Sequence, residues 1–205
     1  MMPVSGYPDF LQKFNAVKNS SRLFTFILFD DRKSQAPVGA FVEANMGWLD
    51  SLAASANMFC FAFARDGGGV AANPSLEVAS HFGIRPNQLP GIVAFTMLPL
   101  SEKVDQALYL PLDSKLFASG DIVVEQVFSD LFSAFQRVQE LNLSETALHE
   151  RLNDEIAALH REQRMRPFLR FIGDRLETLA KLPDKILLVA AEAFGQQAGK
   201  ALLGG

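Results

Sequence analysis

The chain carries one cysteine, Cys60, and three histidines, His81, His149 and His160. Cys60 sits inside the apolar run MFCFAFA at 58–64, where a thiol is expected to be buried and inert rather than nucleophilic. No two histidines stand three or four residues apart and no HExxH occurs, so the spacing of a helix-borne zinc site is absent. His149 and His160 lie in a charged stretch and are expected to be solvated. No serine has the G-x-S-x-G setting of a hydrolase nucleophile. Asp66-Gly67-Gly68-Gly69 lacks the spacing and the Lys-Ser/Thr of a phosphate loop and reads as a turn. One basic concentration stands out: Arg161, Arg164, Arg166, Arg170 and Arg175, which could meet phosphate or an acidic surface. Acidic and basic residues balance over 143–205, which favours a solvated helix junction there. The expectation is no catalytic residue, no metal ligand and no cofactor.

Any function must then rest on shape, and the composition says what shape is available. Hydrophobic residues make up 49% of the 205 and charged residues 20%, enough apolar area to build a core. Phe is abundant, at 18 against 2 Tyr and 1 Trp, and an aromatic-rich interior is expected because a buried Phe has no polar atom to satisfy. Net charge is −4, so no general basic field draws the chain to nucleic acid. One cysteine excludes an internal disulfide framework. The start, MMPVSGYPDFLQKF, lacks the basic and apolar regions of a signal peptide, and no uncharged apolar stretch is long enough for a conventional membrane span. The cytoplasm is the expected location.

Periodicity predicts the following elements. Phe10, Leu11 and Phe14 suit a helix over 8–18. The runs RLFTFILF (22–29), MFCFAFA (58–64) and GIVAFTM (91–97) are continuous apolar stretches, the pattern of strands covered on both faces. QALYLPL (106–112) reads as a fourth strand, with Pro111 marking an edge or an end. Phe41, Trp48, Leu49 and Leu52 suit one helix over 37–55. A short helix over 75–82 can be capped by Asn73 or Ser75. Val124, Val127, Phe128, Leu131 and Phe135 define an amphipathic helix over 121–140. After Asn142 the character changes: Leu148, Leu152, Ile156 and Leu159 form a narrow stripe on a charged helix running to about 165. Pro167 and Pro183 then divide two more helices, 168–181 and 184–203. The fold class is α/β, a mixed sheet flanked by helices over 1–142, followed by an all-helical extension over 143–205.

The strand–helix–strand order, with two adjacent final strands, resembles thioredoxin over about 20–140, with right-handed crossovers between parallel strands. Residues 73–95, NPSLEVASHFGIRPNQLPGIVAF, resemble the thioredoxin stretch in which a short helix ends in Gly-Ile-Arg and a cis-proline opens the next strand. The resemblance implies that Pro90 is that proline and that Gly83-Ile84-Arg85 is the preceding turn. Pro86, Asn87 and Gln88 make the turn longer than the common form. The family's Cys-x-x-Cys would fall within two residues of Arg32 and Gln35, and no cysteine is there. Thiol–disulfide exchange needs a thiolate and a resolving thiol, so that activity is not expected. What the resemblance leaves is a docking frame, in which backbone beside the proline pairs with an extended peptide. Arg32, Lys33, Ser34, Gln35, Arg85, Gln88, Leu89 and Pro90 would border it.

The expectation is a non-redox thioredoxin-like binding or adaptor module that docks a protein partner, with the helical extension mediating assembly or self-association. The rival class is an enzyme resembling glutathione transferases, with glutathione as ligand, although the Ser/Thr-Ala-Ile stretch that family places after its proline is not visible after Met97. A third class is a membrane-acting effector using 184–203, where Ala191, Gly195 and Gly199 form a small-residue stripe suited to helix contact.

Overall fold

The computed structural model describes residues 1–30, 36–64, 74–96, 107–112, 114, 117 and 121–161. Among the described residues five strands form one sheet: β1 (Met2–Val4), β2 (Phe24–Leu28), β3 (Phe59–Phe63), β4 (Gly91–Phe95) and β5 (Ala107–Pro111). Their spatial order is β1-β3-β2-β4-β5. β1 and β2 both run parallel to β3, while β4 runs antiparallel to β2 and β5 antiparallel to β4. Six helices accompany them among the described residues: α1 (Tyr7–Val17), α2 (Ala36–Ala44), α3 (Met46–Ser55), α4 (Ser75–His81), α5 (Asp121–Glu140) and α6 (Glu145–Arg161).

The continuous apolar strands follow from burial on both faces, and every residue of β2, β4 and β5 is buried. Register decides which face each side chain occupies. Phe24 pairs with Phe95 and with Phe59, and Phe26 pairs with Val93 and with Phe61, so these side chains share one face. There α1 delivers Phe10, whose ring meets Phe26 at 5.1 Å and Phe61 at 5.2 Å nearly edge-on, and Phe14, which meets Phe24 at 5.0 Å. Phe82, at the end of α4, meets Phe95 at 5.0 Å on the same face. Edge contacts of this kind place the positive rim of one ring against the negative face of another, adding about 1 kcal/mol per pair to the area buried. The opposite face, with Thr25, Ile27, Cys60 and Ala62, is covered by α2, α3 and α5, among which Phe41, Trp48 and Phe128 cluster. Every described Phe except Phe59 is buried, as the composition led us to expect.

Two elements differ from the sequence reading, each for a physical reason. β1 was not foreseen, because three residues, Met2-Pro3-Val4, are too few to show an alternation; parallel pairing with β3 organises them. The helix expected over 37–55 is two, broken at Asn45, whose side-chain amide folds back on the Phe41 carbonyl (2.9 Å) and competes with the helix. The edge position or strand end inferred from Pro111 is met in both senses: β5 is the outer strand and Pro111 is its last residue. The Leu148, Leu152 and Ile156 stripe is buried, with α6 lying against both α5 and β5; Asn142, at φ 48°, makes the tight turn between the two helices. The helices expected after residue 161, the arginine concentration beyond Arg161, the Gly67–69 turn and Met97 lie outside the described residues.

Candidate functional site

The site is built where β2 ends and β4 begins. α4 stops because Gly83 adopts φ 69°, a left-handed conformation that costs glycine little. The Ile84 amide then donates back to the Ala79 carbonyl (2.9 Å) and the Gly83 amide to Ser80 (3.0 Å), closing the helix end with a Schellman motif. A single 3₁₀ turn, Pro86–Gln88, follows. Gln88 holds it from inside: its Oε1 accepts from the Arg85 backbone amide (2.6 Å), and its backbone N–H donates to the Arg85 carbonyl (2.9 Å). The Leu89–Pro90 bond is cis, as the resemblance implies.

β4 then enters the sheet with Gly91 opposite Leu28, so Pro90 abuts the end of β2. Two contacts lock it there. The Leu112 amide donates to the Pro90 carbonyl (2.8 Å), extending the β4–β5 ladder by one rung. Tyr109, fully buried, reaches over Gly91 and donates from its hydroxyl to the Gln88 carbonyl (2.6 Å). A Cβ on Gly91 would overlap the Tyr109 ring, so this close approach requires glycine. On the other side, the Phe29 amide at the end of β2 donates to the buried Ser75 hydroxyl (3.3 Å), tying β2 to the first turn of α4.

Of the predicted site residues, the structure brings Arg85, Gln88, Leu89 and Pro90 together in this turn; Arg32, Lys33, Ser34 and Gln35 lie outside the described residues. The exposure differs from the expectation. Gln88, Leu89 and Pro90 are buried, and the carbonyls of Gln88 and Pro90 are already hydrogen-bonded. The accessible surface is instead the rim formed by Arg85, Pro86 and Asn87. Gln88 Nε2 is buried without a hydrogen-bond partner, while Oε1 is fixed in orientation by the Arg85 amide.

Sequence reasoning missed Tyr109, Gly91 and Ser75 as parts of the site. Gly91 directly after the Leu-Pro pair was the available signal, since a glycine opening an otherwise bulky strand marks a close approach. Naming Tyr109 as the approaching group required the β4–β5 register, which pairs Val93 with Tyr109 and puts Gly91 diagonal to it.

Cys60 is remote from this turn. It pairs with Thr25, three residues before Leu28, which at about 3.3 Å per residue is roughly 10 Å along the strand. Burial pushes its thiol up to about 11, against the smaller opposing effects of Thr25 and the amino terminus. Among the described residues no group of three or more His, Cys, Asp and Glu gathers to hold a metal ion, and no helix is long and apolar enough to cross a membrane. His81 is exposed and stacks on Tyr7 (centroids 4.8 Å apart, 10° between planes), pinning α4 to α1. Comparison with protein-family models, with curated proteins and with solved structures returns no match.

Proposed function

We propose that the chain is a thioredoxin-like binding module without thiol chemistry, which docks a segment of a protein partner, with the helices after 143 serving assembly. The observation that carries this reading is the junction at the end of the sheet: a cis Leu89–Pro90 bond opening β4 beside the end of β2, with the chain's sole cysteine buried about 10 Å away along the strands. The strand order β1-β3-β2-β4-β5, with its two antiparallel strands on one side, supports the same resemblance. In thioredoxin-like proteins a peptide lies beside this proline. Here the backbone there is buried, so the partner engages the exposed rim of Arg85, Pro86 and Asn87, where a guanidinium offers charge and a planar hydrogen-bonding fork.

A thiol-reductase assay against insulin disulfides tests the non-redox part, and no turnover above buffer is expected from wild type or from Cys60→Ser. Turnover by wild type that Cys60→Ser abolishes would show that Cys60 is a working thiol after all. Binding is tested by charge reversal at the rim: Arg85→Glu is expected to release a partner that wild type retains, with stability unchanged.

A further inference from the structure

Hydrogen bonding in the turn before Pro90 is one-sided. The backbone carbonyls of Arg85, Gln88 and Pro90 already accept, from the Gln88 N–H (2.9 Å), the Tyr109 hydroxyl (2.6 Å) and the Leu112 N–H (2.8 Å). The Arg85 N–H is spent on Gln88 Oε1 (2.6 Å). Two side-chain donors are left open. The Arg85 guanidinium is exposed and forms no ion pair among the described residues. Gln88 Nε2 has no partner, on a residue that is 2% exposed. A buried donor left unmet weakens the free chain, and an acceptor supplied from outside would recover that loss on binding. The two donors are neighbours, because the bond to the Arg85 N–H draws the Gln88 carboxamide back against Arg85. Asn87, the exposed residue between them, has no side-chain hydrogen bond among the described residues to hold it in place.

We propose that this rim recognises a carboxylate, the side chain of an Asp or Glu in the docked segment. One carboxylate oxygen pairs with the Arg85 guanidinium, and the other accepts from Gln88 Nε2 as the Asn87 side chain gives way. The assignment rests on the rim being the docking surface and adds the chemistry of what docks there. A carboxylate is planar, singly charged and acceptor-only, which matches one guanidinium fork and one neutral amide. A phosphate carries up to twice that charge and draws on several arginines, whereas Arg85 is the single cation of this turn. Sealed from water, Nε2 gives a stronger bond to an anion than a solvated donor would, so selectivity for acid over amide resides mainly in Gln88.

The experiment selects short random peptides on the immobilised full chain and then measures the retained sequences in solution by fluorescence anisotropy. Retained peptides are expected to share an Asp or Glu at one position. Replacing that residue by its amide, Glu→Gln or Asp→Asn, is expected to weaken binding about tenfold, the change for one hydrogen bond to a charged group. This comparison alters only the peptide, so it does not depend on any variant of the chain folding. Gln88→Glu keeps the oxygen that accepts from the Arg85 N–H and replaces the open donor by a second acceptor. It is expected to weaken the acidic peptide about tenfold while leaving the amide peptide within about twofold. Arg85→Gln weakens the acidic peptide in the same direction. Lys18→Gln, which removes an exposed charge at the far end of α1, leaves it unchanged and separates recognition from general attraction.

Retained peptides without a shared acid, or amide versions that bind as well as the acids, overturn the carboxylate assignment; if their binding still falls with Arg85→Glu, docking at the rim stands. Acidic peptides indifferent to Gln88→Glu overturn the role of the buried donor. Peptides indifferent to every substitution at Arg85 and Gln88, or a library that yields no binder, overturn the docking surface together with its chemistry.

Discussion

Gly91→Ala probes the lock on the Pro90 turn most sharply. A methyl group at Gly91 would occupy the space of the Tyr109 ring, contacting its Oη, Cε2 and Cζ. The ring cannot swing away cheaply, because its hydroxyl is anchored on the Gln88 carbonyl at 2.6 Å and the residue is fully buried. Nor can β4 shift, since Gly91, Ile92 and Val93 are each paired on both sides, with β2 and with β5. Overpacking of this kind costs about 1–3 kcal/mol. If the ring yields, the Gln88 carbonyl loses its partner in a buried setting, about 1–3 kcal/mol in its place or in addition. A total of about 3 kcal/mol is expected, which at a typical urea slope near 2 kcal/mol/M moves the unfolding midpoint down by about 1.5 M. The cause can be isolated. In a Tyr109→Leu background the ring and its anchor are gone, so adding Gly91→Ala should cost less than about 1 kcal/mol, a coupling of about 2 kcal/mol between the two sites. Denaturant melts of the four proteins measure it. Additive effects, or a midpoint for Gly91→Ala within about 0.3 M of wild type, would refute the role given to this contact.

Other expectations follow from burial and charge. Because burial raises the Cys60 thiol from 9.0 to about 11, the unfolded chain loses its proton first; stability holds below pH 9 and falls as the pH rises from 9 toward 11, and Cys60→Ala should flatten that slope in melts across this range. Asp9 has the opposite sign. Partial burial pushes its carboxyl up, but hydrogen bonds from Lys13 and from the Ser5 amide and hydroxyl more than offset this and leave it below its ordinary value. Its contribution is therefore present at neutral pH and lost on acidification through that lowered value, and Asp9→Asn should remove the acid-side slope together with about 1 kcal/mol of stability. Leu152 on α6 is 1% exposed, so Leu152→Ala should cost about 2–4 kcal/mol in a single cooperative transition; a separate early transition confined to α6 would show that this helix is not part of the core.

Much of the fold could be read in the residues, for a reason that also sets the limit. Strands at 24–28, 59–63, 91–95 and 107–111 are short apolar runs bounded by polar or glycine-rich segments, and such runs declare themselves without tertiary information. β1 could not, because its existence depends on β3 beside it. The break at Asn45 was hidden since the flanking residues, Phe41, Trp48 and Leu49, keep a helical spacing straight through it. In the site, Gly83, Arg85 and Pro90 announced the turn through local chemistry. Its burial did not announce itself, because Tyr109 covers it from twenty-one residues away in sequence.

The central claim is that a protein partner docks on the rim beside Pro90. A photo-crosslinking amino acid placed at Asn87, which is exposed on that rim, measures this in the native cell, with the same group at the exposed Gln126 on α5 as the comparison. A defined protein adduct from position 87, absent from position 126 and lost when Arg85→Glu is added, is the result expected. Adducts of equal yield at both positions, or an adduct at 87 indifferent to Arg85→Glu, would contradict it.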